Sequence, residues 1–184
     1  METTNFNIVS ANSNIDWTGR KVTGAHNGTI GIKEGHFILN DGIINGGNIV
    51  INTASIKILD VTDSDTNAQF AGHLASDDFF SIEKFPTANF EILSVKEISN
   101  GRYYLEGNLT IKDITHVTGF ETEVESTRNT LSLSGKLVID RTKYDIRFRS
   151  GNFFKDLGDT LIYNDFDLDF TITAEAAFTA QSKN

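Results

Sequence analysis

Asp165-Phe166-Asp167-Leu168-Asp169-Phe170-Thr171-Ile172-Thr173-Ala174 alternates polar and apolar residues without a break. In an extended chain successive side chains point to opposite faces, so this stretch predicts a strand with one wet and one buried face. The same alternation runs through Tyr103, Leu105, Leu109 and Ile111, and again through Leu131, Leu133, Leu137 and Ile139. Each apolar face needs a cover, which such strands provide for one another in a barrel or sandwich. Asn100-Gly101 marks a hairpin, because both residues tolerate positive φ. Asn27-Gly28, Glu34-Gly35, Asp41-Gly42 and Asn45-Gly46-Gly47 predict short up-and-down strands in the N-terminal third.

One region breaks the pattern. Between Thr62 and Phe85, Phe70 and Leu74 with Ala71 and Ala75 fall at helical spacing. Thr66 and Gln69 fit a capping box, and Pro86 ends any helix. Phe79, Phe80, Ile82 and Phe85 add apolar surface, so this helical insertion near residues 66–85 docks onto the sheet, at a barrel mouth. The fold class is all-β, an antiparallel up-and-down barrel with one short helical insertion.

The chain has 184 residues, a size that suits one domain over residues 1–184. A net charge of −9 argues against nucleic acid and against anionic membrane surfaces. The absence of Cys excludes disulfides, thiolate chemistry and Cys-ligated metal. No apolar run approaches the ~18 residues of a spanning helix. Met1–Asn7 lacks a basic start and an apolar stretch, so the expected location is cytoplasmic, or periplasmic if this is a mature exported form. The unusual count is 14 Phe, more than the Tyr and Trp together.

Motifs for catalysis are sparse. His26, His36, His73 and His116 match no zinc spacing, so no metal and no cofactor is expected. Asp77-Asp78 reads as a helix-boundary cap, and Asp165, Asp167 and Asp169 as a solvated strand face rather than a calcium loop. Arg141, Lys143, Arg147 and Arg149 cluster among Tyr144 and Phe148, where pairing with Asp140, Asp145 and Asp156 or anchoring of a polar head group are the readings.

Four stretches, taken in order, resemble a known family. From Lys21 the chain reads K-V-T-G-A-H-N-G-T-I, and from Gly72 G-H-L-A-S-D-D-F-F-S-I-E-K-F-P. From Gly107 it reads G-N-L-T-I-K-D-I-T-H, and from Asp140 D-R-T-K-Y-D-I-R-F-R-S-G. This resembles the YceI family of bacterial polyisoprenoid-binding, lipocalin-like proteins, from Asn14 to Ala174. The resemblance implies a lipocalin-like barrel with an apolar tunnel, a homodimer, frequent export to the periplasm and no common enzymatic reaction. His26, His73, Asp78, Phe79, Phe80 and Pro86 fall on family motif positions, and several would hold the helix to the barrel. Asp113 stands where the family often has Gly, and His116 leads directly into Val117-Thr118-Gly119, both departures in one loop region.

The expected function is non-catalytic binding or transport of a long isoprenoid-type lipid, a polyprenyl or quinone tail, because inner positions offer aromatic and aliphatic side chains with few charges. The candidate tunnel residues are Trp17, Phe90, Ile92, Tyr103, Leu105, Leu131, Leu133, Phe166, Leu168 and Phe170, with Arg147 as head-group partner. Two alternatives stand beside it: an enzyme acting on an amphiphile through His26 or His73 and a carboxylate, and an empty structural barrel working through protein partners.

Overall fold

The computed structural model describes residues 2–177. Its strands are β1 (Thr3–Ile8), β2 (Asn14–Lys21), β3 (Gly24–Asn40), β4 (Ile43–Ile58), β5 (Thr87–Ser99), β6 (Arg102–Ile111), β7 (Ile114–Ser126), β8 (Thr130–Asp140) and β9 (Ile162–Ala176). From β2 to β9 each strand pairs antiparallel with the next, and β9 pairs back onto β2. The result is a closed eight-strand barrel, as the alternation predicts.

β1 adds no ninth position. It pairs with the distal parts of β3 and β9, while β2 pairs with their other halves. β1 and β2 are therefore one interrupted strand: the eight steps from Asn7 to Ile15 face six on β3, from His36 to Ile30. The surplus forms a small bulge at Val9–Ser13, pinned by Ser13, whose hydroxyl donates to the Val9 carbonyl at 2.9 Å.

The N-terminal glycines are mostly not turns. Only Asp41-Gly42 reverses the chain, both residues having positive φ (51° and 82°). The other Gly positions lie inside β3 and β4, 17 and 16 residues long rather than short. There they admit close neighbours: a Cβ on Gly28 would collide with the Lys57 carbonyl and reach 2.7 Å from the Trp17 ring. Period and turn chemistry look alike for a tight turn and a crowded strand, which is why the sequence reading cuts these strands too short. A further turn carries no glycine. Lys112 and Asp113, both at positive φ (53° and 60°), join β6 to β7.

The insertion is a helix, α1 (Ser64–Ala75), followed by tight turns to Pro86. Its cap is not Thr66 but Asp63, whose carboxylate accepts from the Thr66 amide at 2.9 Å and the Thr66 hydroxyl at 2.7 Å. Thr66 is thus the third helical residue, bonding back to the cap. Asn67 donates to the carbonyls of Ile58 (2.9 Å) and Val61 (3.0 Å), tying the first turn to the end of β4. Beyond the helix, Thr53 holds the returning chain through the Phe85 and Pro86 carbonyls.

Antiparallel alternation sorts the connections by end. The α1 insertion, the Arg141–Leu161 segment and the turns Val22-Thr23 and Lys112-Asp113 share one end of the barrel, and Asp41-Gly42 and Asn100-Gly101 mark the other.

Candidate functional site

The helix end of the barrel is hollow. A cavity of about 180 Å³ lies between the inward faces of β2, β3, β4, β6 and β9 and the underside of α1. β2 contributes Ile15 and Trp17, β4 Ile51 and Ile56, and β6 Leu109 and Ile111. Phe70 and Leu74 of α1, with Phe79 and Phe80 after it, form the cover; Phe80 meets Phe166 of β9 edge to face, centroids 6.5 Å apart. Almost every wall atom is carbon.

Trp17 shows how the wall is fixed. Its indole N–H donates to the carbonyls of Lys57 (3.1 Å) and Thr29 (3.3 Å), and its ring lies over Gly28. The polar edge is thereby satisfied inside the sheet, and the apolar face is left for the cavity.

The opposite half is filled. Leu105, Leu131, Leu133 and Phe37 are at most 1% exposed there. Phe90, Phe120 and Phe170 stand between the two halves, with Phe120 5.3 Å from each of the other rings. Their space comes from glycine: a Cβ on Gly107 would lie 2.6 Å from Phe90, and one on Gly135 3.0 Å from Phe170.

The expected tunnel residues therefore divide. Trp17, Phe166 and Leu168 line the cavity; Phe90 and Phe170 belong to the partition, and Ile92, Leu105, Leu131 and Leu133 are packed core among the described residues. Tyr103 packs against that core from the filled half. Arg147 is away from the cavity wall, its guanidinium 3.3 Å from Asp145 and stacked on Phe153 at 4.5 Å. Alternation marks which side chains face inward, but not how far along the axis the interior stays open. Ile15, Ile51, Ile56, Leu109 and Ile111 are wall residues that the candidate set omits, and so are Phe70, Leu74, Phe79 and Phe80, although the sequence assigns the apolar residues of the insertion to a docked face.

Polar groups gather where the cavity meets solvent. Among its lining residues, Arg20, Lys21, Tyr163 and Asp165 are exposed, and all lie where β2 ends and β9 begins. A bulge loosens the ladder there, two steps on β2 from Gly19 to Lys21 facing four on β9 from Phe166 to Ile162. Asp167, expected on a solvated face, is instead covered by Arg20 (2.8 Å) and Lys136 (3.4 Å).

Arg141 stands behind this mouth, 4% exposed. It donates to the carbonyls of Ile146 (2.7 Å), Tyr163 (3.0 Å) and Ile162 (3.1 Å), which sews the Arg141–Leu161 segment to the start of β9. Burial lowers its pKa to about 10, with Asp140 opposing, so it stays charged at neutral pH. The basic cluster is thus not a set of local ion pairs: of its members, only Arg147 bonds a carboxylate among the described residues.

Two His–carboxylate pairs frame the cover. His26, on the cavity wall, bonds Asp60 at 2.8 Å and meets Phe70 edge to face at 4.8 Å. Burial pushes the Asp60 carboxyl up, but the Asn27 amide and the His26 ring together outweigh it and hold it below the usual range. His73 bonds Asp78 at 3.1 Å between the rings of Phe79 and Phe148. Asp77 accepts from the Ser81 hydroxyl at 2.6 Å. His116 bonds the Lys143 carbonyl at 2.9 Å. No His–carboxylate cluster of metal-binding size occurs among the described residues.

The sequence model of the YceI-like domain family matches residues 6–174. The chain belongs to the YceI family. A curated relative, the UPF0312 protein YE1254 of Yersinia enterocolitica, is 36% identical over 83 residues, which is 45% of this chain and 38% of that protein. The chain therefore matches well under half the length of that relative. BcnA of Burkholderia cenocepacia shares the fold at TM-score 0.69 and 18% identity, over 90% of this chain and 98% of that one. So does a polyisoprenoid binding domain from Saccharophagus degradans implicated in plant cell wall breakdown, at TM-score 0.65, 14% identity, and 94% and 98% coverage. The YceI protein of Campylobacter jejuni matches at TM-score 0.56 and 19% identity, over 73% of this chain and 74% of that one. These proteins thus share the fold of this chain.

Proposed function

We infer that this YceI-family barrel is a non-catalytic carrier of an isoprenoid-type lipid, whose hydrocarbon enters between β2 and β9 and lies beneath α1. The carrying observation is the cavity itself, walled by carbon and wet only at its mouth. Each CH₂ moved from water into such a wall contributes about 0.8 kcal/mol, so affinity follows tail length. The structural likeness to a polyisoprenoid binding domain supports the same ligand class.

Volume limits what is enclosed. An engineered apolar cavity of about 150 Å³ takes up benzene, so this one holds the first one or two isoprene units of a polyprenyl or quinone tail, and a longer tail requires Phe90, Phe120 and Phe170 to move apart. A single 1–184 domain and a homodimer belong to this reading.

The test is extraction of the purified protein with organic solvent and mass spectrometry, followed by titration with prenols while Trp17, the only tryptophan, is followed by fluorescence. Recovery of a prenyl lipid and a saturable change at Trp17 are expected. No extracted lipid and no response to any prenol would remove the carrier reading. One observation favours an enzyme instead, His26 on the wall with the Asp60 carboxylate bonded behind it. Under the carrier reading His26→Gln leaves prenol affinity within about twofold, since a hydrogen bond to the ring is replaced by one to an amide.

A further inference from the structure

The clustered basic residues are not used by the cavity, and the structure shows what surrounds them. Residues 141–155 hold five cations (Arg141, Lys143, Arg147, Arg149 and Lys155) against one carboxylate, Asp145. Elsewhere the chain has 11 Lys and Arg against 24 Asp and Glu. The acidity that argues against an anionic surface therefore belongs to the rest of the chain, and this segment reverses it locally.

Large apolar side chains break the surface at the same place. Phe153 and Phe154 are 48% and 46% exposed, and Val22 and Tyr163 are each 48% exposed. Backbone bonds hold these residues around the mouth. The Ile162 amide donates to the Arg149 carbonyl at 2.9 Å, and the Val22 amide to the Leu161 carbonyl at 3.2 Å. The Ser150 hydroxyl donates to Asn164 at 2.6 Å. Phe153 and Phe154 follow in a turn, their amides bonded to the Ser150 carbonyl. Arg147 lies over the Phe153 ring and Arg149 over Phe148, at 4.5 and 4.9 Å. Asp156 and Asp159 lie just beyond the segment in sequence. Exposed aromatic rings carrying guanidinium groups suit the boundary where headgroup phosphates meet acyl chains.

We propose that Val22, Phe153, Phe154 and Tyr163, with Arg147 and Arg149, form a docking surface for an anionic phospholipid bilayer, placing the cavity mouth against the membrane. The proposal rests on the carrier reading for its purpose, but not for its geometry. A lipid that leaves the bilayer then reaches Tyr163, which belongs to both surface and cavity wall, and Lys21 beside Val22, without its tail crossing water.

The test is co-sedimentation of the full chain with vesicles of phosphatidylcholine alone, and with vesicles in which about a third of the lipid is phosphatidylglycerol. Binding to the anionic vesicles only, lost at high salt, is expected. Phe153→Ser with Phe154→Ser, and separately Arg147→Glu with Arg149→Glu, should weaken it at least about tenfold, while Leu93→Ser, an exposed position on β5, should not change it. Equal binding by these variants, or no binding by the wild type, overturns the proposal; the wild-type salt and lipid dependence decides it if a variant fails to fold. Sedimentation velocity adds an arm: a dimer that the paired Phe substitutions dissolve assigns the surface to a second copy and overturns it. Prenol titration followed at Trp17 separates the two ideas. A protein that binds prenol and ignores vesicles loses the docking surface alone, and one that binds anionic vesicles and no prenol loses the carrier reading alone.

Discussion

At the scale of single residues, Asp60 joins site and stability. Its carboxylate receives the Asn27 amide at 3.1 Å and the His26 ring at 2.8 Å, closing the end of β4 over β3. A carboxyl held below its ordinary value stabilises the fold above that value and loses its contribution as pH falls through the lowered one. Asp60→Ala should therefore cost about 1 kcal/mol near neutrality, below the usual scale of hydrogen bonds to a charged group because solvent screens this exposed pair. Thermal unfolding across pH checks the sign: the gap between wild type and variant should be steady above about pH 5 and close below about pH 4. A gap that widens in acid would show that Asp60 acts by other means. Arg141 is the companion case, invisible as such in sequence. Its position among Lys143, Arg147 and Arg149 suggests a surface cluster, and only the folded segment shows three carbonyls converging on one guanidinium.

Among the elements, α1 is the one lightly attached to the barrel. It has one buried side chain, Leu74, whereas each strand is hydrogen-bonded along its length to its neighbours. Asn67 is its polar tether. Asn67→Ala removes both bonds to the β4 end, at about 1 kcal/mol each, and leaves Phe70 and Leu74 to hold the helix. Hydrogen exchange should quicken across Ser64–Ala75 while β6–β9 are unchanged; uniform quickening would mean that the helix and barrel open as one unit. The legibility of the elements follows the same division. Strands with one buried face announce themselves by alternation, as β6, β8 and β9 do. Long β3 and β4 are hidden by glycines that admit the Trp17 ring and bends rather than reversals, and Asp63 is passed over as cap because Thr66 carries an equally plausible side chain.

Across the whole molecule, an open half and a filled half divide at three rings. Sequence shows the Phe excess and assigns it to lid and lining, yet Phe90 and Phe170 share the alternation of true wall residues such as Phe166. Only three-dimensional packing against Phe120, Gly107 and Gly135 separates them. Phe120→Ala should remove the central ring, join the cavity to the space beyond, and destabilise the barrel by about 3 kcal/mol. If the partition limits tail length, the wild type gains affinity with each prenol unit only up to one or two units, and the variant continues to gain with longer tails. Calorimetric titration with a prenol series measures both slopes, and parallel slopes would show that the partition yields freely.

Closure of β9 on β2 has a consequence for how the protein is made. Trp17 and Ile15 leave the ribosome early and Ile162, Phe166 and Leu168 late, yet they lie side by side in the cavity wall on the paired strands β2 and β9. The nascent chain consequently has no binding compartment, and two unpaired strand edges, until β9 has been synthesised. Those exposed edges and Phe-rich faces invite chaperone capture or aggregation during this interval. The cavity is therefore closed only once β9 has paired with β2.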